Sequence, residues 1–284
     1  CAIFHFGSVS MTADPCRTAT LSAARYARQK GKLVSFDPNY RPLLWDDTEE
    51  AVLRMKEGIR LADILKVSEE EMQLVTGESD PERGSKALLD MGPSLVLVSM
   101  GAKGAYCRNA VCAGALPTFD VPTVDTTGAG DAFMGAIHFL LKGKTAEELR
   151  ALPEDALREI VRFGNAAGSL TTTKGGAIPA MPSMEEIRSC IASAPLLSWK
   201  GILDMTEVKI RLQQTDQVKK LVDFLTPCPY EVNLVSGRYT IDAKSLLGIY
   251  SLDLSNLLTL VIYSDDCDGL LRQLRALLPD CLIP

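Results

Sequence analysis

Residues 123–141 read TVDTTGAGDAFMGAIHFLL, and the predicted fold is organised around this stretch. A polar, extended segment leads into a Gly-Ala-Gly turn, and an aspartate and a long apolar run follow the turn. The large apolar residues of the run recur at i, i+4, i+7 and i+8, as one face of a helix requires: Phe133, Ile137, Leu140 and Leu141. The pattern therefore places residues 128–130 at the N-terminus of a helix.

The predicted helix N-terminus is suited to binding an anion. The first N–H groups of a helix have no intrahelical partner, and the helix dipole favours negative charge there. Small residues let an anion approach the backbone, so Gly128, Ala129 and Gly130 form a candidate anion site. Asp131 stands at its mouth, and a role that fits is taking a proton from a nucleophile that attacks a phosphate. The alternative is a simple tight turn with Asp131 as the helix N-cap.

The composition indicates an acidic protein with room for roughly two domains. The chain has 284 residues, of which 46% are hydrophobic and 23% charged, and its formal net charge is −6. This balance argues against nucleic-acid binding and against attraction to an anionic membrane, and no apolar run is long enough for a membrane span. The eight cysteines form no CxxC pair and there are two histidines. We therefore expect no zinc site, reduced thiols and a cytoplasmic location.

Strands alternate with helices along the first two thirds of the chain. Strands are predicted at 2–6, 32–36, 63–67 and 95–100, and helices at 17–30, 48–61, 81–91, 146–150, 154–170 and 183–192. Residues 103–107 and 111–115 look like a hairpin. Such alternation predicts a parallel sheet with helices on both faces. His138 is expected to be a packed or half-buried residue of the helix after Asp131.

Polar residues follow three of these strands, where the ligands of parallel sheets bind. Three sets stand beyond strand ends: Asp37, Asn39 and Arg41; Ser68 and Glu71; Ser99, Gly101, Lys103 and Gly104. Together with the glycine turn before Asp131, these loops predict one site at the carboxyl edge of the sheet.

Several segments resemble the ribokinase/PfkB family of sugar kinases. The string DTTGAGD at 125–131, followed by AF, matches that family's signature. The segments at 35–45, 65–77, 98–107 and 163–182 occur in the order seen in bacterial fructokinases: SFDPNYRPLLW, LKVSEEEMQLVTG, VSMGAKGAYC and FGNAAGSLTTTKGGAIPAMP. A near relative is 2-keto-3-deoxygluconate kinase. For residues 1–194 the resemblance implies an incomplete ribokinase-like α/β fold and ATP-dependent phosphorylation of a sugar, with fructose as the first expectation.

The resemblance also implies roles for individual residues. Asp131 would be the base that deprotonates the sugar hydroxyl, and the backbone of Gly128, Ala129 and Gly130 would bind the transferring phosphoryl group. Arg41 and Asn39 would contact the substrate, with a surface salt bridge as the alternative for Arg41.

Four further positions match the nucleotide side of the family's site. Ser99, Gly101 and Gly104 correspond to the nucleotide loop, and Asn165 to the adenine side.

Two carboxylates are implied to hold cations. Glu71 matches the acidic end of the family's Asn-x-x-Glu motif, which organises Mg²⁺, although Ser68 stands here at the Asn position. The alternative is that Glu71 belongs to a charged first helical turn. Asp125 resembles a ligand of a monovalent cation such as K⁺, with a loop hydrogen bond as its alternative.

Family members carry roughly a third of their length before the strand at 2–6, including the lid and several sugar contacts. The chain begins with Cys1 and enters an apolar strand directly, which does not fit a signal peptide and looks like the middle of a fold. The expectation is therefore a fragment or a truncated gene product, with an exposed sheet edge and little kinase activity by itself.

The pattern changes after a linker at about 194–201. Elements are predicted at 207–212, 215–225, 230–235, 238–241, 243–249, 259–263 and 267–278. Their order, βαββαβα, predicts an antiparallel sheet with helices on one face. Residues 202–284 resemble HPr, the phosphocarrier of the sugar phosphotransferase system, through LVSGRY at 234–239 and DAKSLLGIYSLDL at 242–254.

The HPr-like segment lacks the residue on which HPr carries its phosphoryl group. Gln214 aligns with that histidine, and residues 139–284 contain no histidine, so carrier activity is excluded chemically. Ser245 aligns with a serine that is phosphorylated in some HPr proteins, and its alternative is a cap of the following turn.

Three interpretations remain open on the sequence alone. The first is a fructokinase-like enzyme, using ATP and Mg²⁺, that carries a degenerate HPr-like domain. A catalytically weak, nucleotide-binding regulatory protein, whose HPr-like part docks a partner, is the second. The third is a join of two neighbouring genes. Expected partners are a sugar and ATP, a second copy in a homodimer and a protein that binds the HPr-like domain, but neither nucleic acid nor membrane.

Overall fold

The sequence folds into two compact units, Cys1–Leu197 and Ser198–Pro284, in a computed structural model. The structure describes residues 1–197, 205–212, 214–228, 232–236, 239–250, 252, 254, 256–263, 267–279 and 281–283. Parts of the predicted linker and of the turn near residue 237, together with Gln213 and Tyr230, lie outside the described residues. No helix among the described segments is long and apolar enough to cross a membrane.

A six-stranded mixed sheet forms the centre of the first unit. Its strands follow chain order across the sheet: β1 (Ile3–Phe6), β2 (Leu33–Phe36), β3 (Ile64–Ser68), β4 (Leu95–Ser99), β5 (Ala105–Arg108) and β6 (Ala113–Leu116). The first four strands pair in parallel, and the hairpin of β5 and β6 adds two antiparallel strands. The predicted parallel sheet and the predicted hairpin are therefore both present, in one sheet.

Eight α-helices surround this sheet in the described part of the first unit. They are α1 (Cys16–Gln29), α2 (Thr48–Leu61), α3 (Glu69–Thr76), α4 (Pro81–Asp90), α5 (Ala129–Leu141), α6 (Ala146–Arg150), α7 (Glu154–Thr172) and α8 (Met184–Ser193). Their starts follow local capping chemistry. The Asp47 side chain accepts from two N–H groups of α2, and Pro81 occupies the first turn of α4.

Alternate residues of the strands point to two separate hydrophobic cores. Val34, Leu65 and Val96 pack with α1 to α4 on one face of the sheet. Leu33, Ile64, Leu95 and Leu97 pack with α5 and α7 on the other. Because side chains alternate along a strand, Ser35 and Lys66 belong to the α5 face. The helices therefore cover both faces, as predicted.

The second unit contains a five-stranded antiparallel sheet. Its strands are β7 (Met205–Ile210), β8 (Val232–Ser236), β9 (Tyr239–Asp242), β10 (Leu258–Tyr263) and β11 (Leu282–Ile283), in the order β11-β7-β10-β8-β9. Its helices are α9 (Thr215–Leu225), α10 (Leu246–Tyr250) and α11 (Asp268–Leu277). Ile210, Leu234 and Leu260 face a core that α9 and α11 complete, whereas Glu207 and Lys209 are exposed.

The predicted order βαββαβα is confirmed for the second unit, and the strand β11 follows it as an element that was not predicted. Predicted boundaries lie within three residues of the observed ones, as at α7, which continues to Thr172 instead of ending at 170. Within the hairpin of β5 and β6, Cys107 and Cys112 are free thiols, and burial raises the pKa of Cys107 to about 12.

Candidate functional site

A cleft of about 520 Å³ opens at the carboxyl ends of the first strands. Residues that follow β1 and β2, among them Gly7, Ser10, Asp37 and Asn39, line one side, and Asp131 of α5 lines the other. The cleft therefore brings one of the three predicted loops, with Asp37 and Asn39, together with Asp131 beyond the glycine turn, and adds the loop after β1, which was not predicted.

The first turn of α5 is left without a side-chain cap. Gly128 is the N-cap residue in the left-handed conformation, at φ 82°, and no described side chain caps the turn. A methyl group at Gly128 would lie 2.8 Å from the Ala177 Cβ, so glycine is needed for space as well as for conformation. Ala129 donates to the Thr126 carbonyl oxygen at 3.2 Å. The N–H groups of Gly130 and Asp131 point along the helix axis toward its open end.

Asp131 is an exposed residue on the first turn of α5, and it lines the cleft. It occupies the third helical position, not the N-cap, so the alternative that Asp131 caps the helix is wrong. Its carboxylate is close enough to His5 and Lys66 to influence the pKa of both.

A short loop after β2 is held in place by two carboxylates. Asn39 lies at φ 47°, a conformation that few residues other than glycine adopt, and its N–H donates to Asp37 Oδ1 at 3.2 Å. The Tyr40 N–H donates to Glu71 Oε1 at 2.7 Å. Arg41 is exposed, donates to the Tyr40 carbonyl oxygen, and forms no ion pair with any described residue. Its substrate role and its salt-bridge alternative both stay predictions.

Beneath the cleft lies a buried ion pair that the sequence analysis did not single out. The Lys66 Nζ is 3.0 Å from Asp37 Oδ2 and 3.3 Å from Oδ1, and both residues are buried. Burial raises the pKa of Asp37 to about 6, although Lys66 opposes this shift. For Lys66, burial lowers the pKa, but the carboxylates of Asp37, Glu71 and Asp131 outweigh it, so the net shift is upward. The ammonium of Lys66 therefore interacts electrostatically with three carboxylates.

Glu71 is a buried residue whose two oxygens both accept backbone hydrogen bonds. Oε2 accepts from the Ser68 N–H at 2.8 Å, and Ser68 Oγ accepts in return from the Glu71 N–H at 3.1 Å, which closes a capping box at the start of α3. Oε1 binds Tyr40. The predicted alternative for Glu71, a residue of a charged first helical turn, is thus present, and its metal role is not tested by the geometry.

Asp125 connects the loop before α5 to the loop after α7. Its Oδ1 accepts from the Thr127 N–H and its Oδ2 from the Gly176 N–H, each at 2.9 Å. These hydrogen bonds lower its pKa. The predicted loop hydrogen bond is therefore present. Within the described residues, no group of three or more His, Cys, Asp or Glu side chains is arranged to hold a metal ion.

The four residues predicted on the nucleotide side lie at the other end of the sheet edge and do not line the cleft. Ser99 Oγ donates to the Val67 carbonyl oxygen at 3.3 Å. Gly104, at φ 89°, has no room for a side chain against the Leu116 carbonyl oxygen, and Gly101, at φ 57°, begins a short 3₁₀ helix. The Asn165 amide is buried and donates to the carbonyl oxygens of Leu116 and Pro117. Their nucleotide roles stay predictions.

The two histidines of the chain meet across Ser35. The Ser35 Oγ is 3.1 Å from His5 Nδ1 and 2.7 Å from His138 Nε2, and the two rings are 5.0 Å apart. Burial lowers the pKa of His138 to about 4, and it lowers that of His5 against an opposing effect of Asp131. The prediction that His138 is a half-buried helix residue is confirmed.

Comparison with known proteins agrees with this architecture. Residues 2–184 match the sequence profile described as "pfkB family carbohydrate kinase". The chain is 43% identical over 196 residues to Fructokinase-1 of Zea mays, and this alignment covers 68% of this chain and 59% of that protein. It is 40% identical over 191 residues to the probable fructokinase-4 of Arabidopsis thaliana, covering 66% and 57%. The chain thus spans less than two thirds of the length of these relatives.

Three solved kinase structures superpose on this chain. Fructokinase from Xylella fastidiosa with bound ATP superposes with a TM-score of 0.62 at 32% identity, covering 67% of this chain and 61% of that one. Aminoimidazole riboside kinase from Salmonella enterica, complexed with aminoimidazole riboside and an ATP analog, superposes with a TM-score of 0.60 at 34% sequence identity. The match covers 67% of this chain and 63% of that one. Fructokinase from Vibrio cholerae in its fructose-, ADP- and calcium-bound form superposes with a TM-score of 0.61 at 32% sequence identity. The match covers 66% of this chain and 60% of that one.

Proposed function

Because the chain belongs to the pfkB family of carbohydrate kinases, we propose that it serves ATP-dependent phosphorylation of a sugar hydroxyl, with fructose as the preferred acceptor. The observation that carries the proposal is the uncapped first turn of α5 with the exposed Asp131 facing the cleft. The fructokinase names of the two relatives from Zea mays and Arabidopsis thaliana support fructose. The kinase of 2-keto-3-deoxygluconate is the alternative substrate assignment.

In the proposed mechanism, Asp131 accepts the proton of the sugar hydroxyl as its oxygen attacks the γ-phosphorus of ATP. The bond from that phosphorus to the bridging oxygen breaks, and ADP leaves. Negative charge on the transferring group is met by the backbone N–H groups of Gly128 and Gly130 and by the positive end of the α5 dipole. The Ala129 N–H, which belongs to the same predicted set, already donates to the Thr126 carbonyl oxygen. Because these donors are fixed before reaction, they need little reorganisation in the transition state.

The substrate side would be organised by the loop after β2. Asp37 and Glu71 fix the backbone of Asn39 and Tyr40, which presents the Asn39 and Arg41 side chains for sugar contacts. Ser99, Gly101, Gly104 and Asn165 are proposed for the nucleotide side; they lie around the ends of β4 and β6.

The carboxylates of Glu71 and Asp125 fit the oxygen preference of Mg²⁺ and K⁺. Each already accepts two backbone hydrogen bonds, and a carboxylate has about four acceptor sites, so both keep capacity for a cation or its water shell. When bound, Mg²⁺ would supply charge neutralisation on the phosphates. The two residues would hold and orient the cation's ligands.

For the second unit we propose a degenerate HPr-like docking role. Its element order and antiparallel sheet support the resemblance. Gln214 cannot carry a phosphoryl group, and its N–H is bound by Gln217 Oε1 at 3.0 Å in a capping box. Ser245 Oγ accepts from the Gly248 N–H at 3.1 Å, which supports a capping role for this serine. A cytoplasmic location, a homodimer and the absence of nucleic-acid and membrane partners stay predictions.

The test is a kinase assay on the protein together with any in-frame upstream residues. Fructose and 2-keto-3-deoxygluconate are compared with ATP as donor, and D131N is the control. We expect turnover on fructose that falls about 10²- to 10⁴-fold in D131N. Nucleotide binding without turnover on any sugar would refute the enzyme and favour a nucleotide-binding regulatory protein.

A further inference from the structure

His5 is connected, through a buried serine, to the helix that carries Asp131. Its Nδ1 lies 3.1 Å from Ser35 Oγ, and the same oxygen lies 2.7 Å from Nε2 of His138 on α5. His5 and Ser35 are register partners of β1 and β2, and Ser35 is fully buried. His138 follows Asp131 by seven residues, so both lie on the same side of α5. The two imidazoles and the hydroxyl therefore form one hydrogen-bonded row between β1 and α5.

The single hydrogen of the Ser35 hydroxyl limits how this row can be arranged. Ser35 donates to one imidazole and accepts an N–H from the other. Burial lowers the pKa of both rings, to about 4 for His138, so both are neutral at pH 7 and each carries one N–H. Either both rings carry the hydrogen on Nε2, or both carry it on Nδ1. The tautomer of His138 thus fixes the tautomer of His5.

The charge beside the cleft favours one of these two arrangements. The His5 side chain is exposed and lines the cleft, as Asp131 does. Because Ser35 binds Nδ1, Nε2 is the ring nitrogen left to face the cleft. Burial has the largest effect on the His5 pKa; next, Asp131 raises it more than Lys66 lowers it, and a hydrogen bond with the Ser35 backbone is the weakest effect. The dominant nearby charge is thus a carboxylate, which favours a hydrogen on Nε2.

We infer that His5 is a positioning residue for Asp131: Ser35 and His138 hold its ring with the hydrogen on Nε2, and this N–H orients the Asp131 carboxylate from across the cleft. The inference rests on the proposed function, since it concerns the base of that reaction. An exposed carboxylate can adopt several rotamers, and a fixed donor opposite Asp131 reduces their number. A purely structural cluster would be satisfied by either tautomer.

The tautomers can be read by ¹⁵N NMR of the imidazole rings in the full chain at pH 7. The chain has two histidines, so H138F leaves His5 alone and assigns both sets of signals. We expect the hydrogen on Nε2 of both rings in the unsubstituted protein and a mixture of tautomers in S35A. S85A is the matched control, because Ser85 is equally buried but accepts from Arg108 Nε at 2.9 Å, and neither residue lines the cleft.

A second measurement tests the coupling between His5 and Asp131 without any turnover. The pKa of His5 is followed through the same NMR signals as the pH is lowered. Because the Asp131 carboxylate raises the pKa of His5, this pKa should be lower in D131N than in the unsubstituted protein. The control is D90N, since Asp90 pairs with Lys86 on the surface and should not influence His5.

Kinetics on fructose test the consequence for the base. H5F removes the donor and should lower kcat about 10- to 100-fold, the range for losing a hydrogen bond to a charged group, with a smaller change in KM. H5Q places an amide N–H at about the position of Nε2 and should retain more kcat than H5F. S35A should lower kcat about 2- to 10-fold. In the H5Q background S35A should have no further effect, because an amide has no tautomer to fix.

A hydrogen on Nδ1 of His5 in the unsubstituted protein would overturn the inference. Equal kcat in H5F and the unsubstituted protein would do the same, as would an unchanged His5 pKa in D131N. If the unsubstituted protein phosphorylates no sugar, the proposed function fails, and the tautomer and pKa measurements decide by themselves whether His5 is coupled to Asp131.

Discussion

Two consecutive helices of the first unit, α5 and α6, begin in opposite ways. At α6, Thr145 Oγ1 accepts from the Glu148 N–H at 3.2 Å and Glu148 Oε2 accepts from the Thr145 N–H at 2.7 Å, so the first turn is closed. At α5, Gly128 has no side chain to offer, and the third helical position holds Asp131, which faces the cleft. The first turn of α6 is thus closed by side chains of the helix itself, whereas the first turn of α5 has no side-chain cap and lies beside the cleft.

The difference teaches where to look for function on a helix. α3 and α8 are also closed by capping boxes, Ser68 with Glu71 and Ser183 with Glu186. A closed first turn contributes to stability, whereas an open one beside a cleft keeps donors available for an anion. Among the described helices of eight or more residues in the first unit, α5 is the one with both an uncapped first turn and a cleft-lining carboxylate on it.

The largest expected effect comes from exchanging the two acidic residues, D131E in α5 and E148D in α6. D131E adds one methylene and moves the carboxylate by about 1 Å, which can lower kcat about 100-fold. Its Tm should stay unchanged or rise, because glutamate at this position favours a closed first turn. E148D should lower stability by about 0.5–1 kcal/mol and leave kcat unchanged. Equal kcat in D131E and the unsubstituted protein would contradict a catalytic position for Asp131.

A second effect concerns the carboxylate cluster near the open turn. Burial raises the pKa of Asp37 to about 6 from an ordinary value of 3.8. Because the folded protein then binds more protons than the unfolded chain between these values, the free energy of unfolding falls as the pH rises through this window. The loss is at most about 3 kcal/mol, and D37N should remove it.

The measurement is urea unfolding from pH 4 to 7, expressed as the difference between the unsubstituted protein and D37N. The difference is needed because His138, with its pKa lowered to about 4, makes stability rise with pH over part of the same window. That contribution is the same in both proteins and cancels. A difference that does not vary with pH would show that Asp37 titrates normally.

A third effect tests the glycine that keeps the first turn of α5 open. G128A forces alanine into the left-handed conformation, which costs about 1–2 kcal/mol, and brings its Cβ against Ala177. The control G143A has the same kind of strain, at φ 91°, but no atom within 4 Å. We expect both variants to lose stability, and G128A alone to lose about tenfold or more in phosphate affinity, because the first turn must move. Equal phosphate affinities would refute the anion site.

How much of this could be predicted from sequence depends on how local each feature is. The phase of α5, the cap at Ser68 and the order of elements in the second unit follow from spacing and side-chain chemistry within a few residues. The Lys66–Asp37 pair and the His5–Ser35–His138 cluster join residues 29 to 103 positions apart. Lys66 did leave a signal in the sequence, as the one charged residue of a strand whose other residues are Ile64, Leu65, Val67 and Ser68. The partner that makes it informative depends on strand pairing, which local spacing does not specify.

The smallest effect extends the comparison to the second unit, where α9 begins with a closed turn. Gln217 Oε1 accepts from the Gln214 N–H at 3.0 Å, so Q217A should cost about 0.5–1 kcal/mol locally. Hydrogen exchange measured by mass spectrometry should show faster exchange in 214–218, with no change in phosphate binding at α5. If Q217A instead made α9 a phosphate site as strong as α5, an open first turn would be sufficient for anion binding. If it does not, the contrast between α5 and the closed helices depends on what surrounds the open turn at α5: the cleft, Asp131 and the buried Lys66.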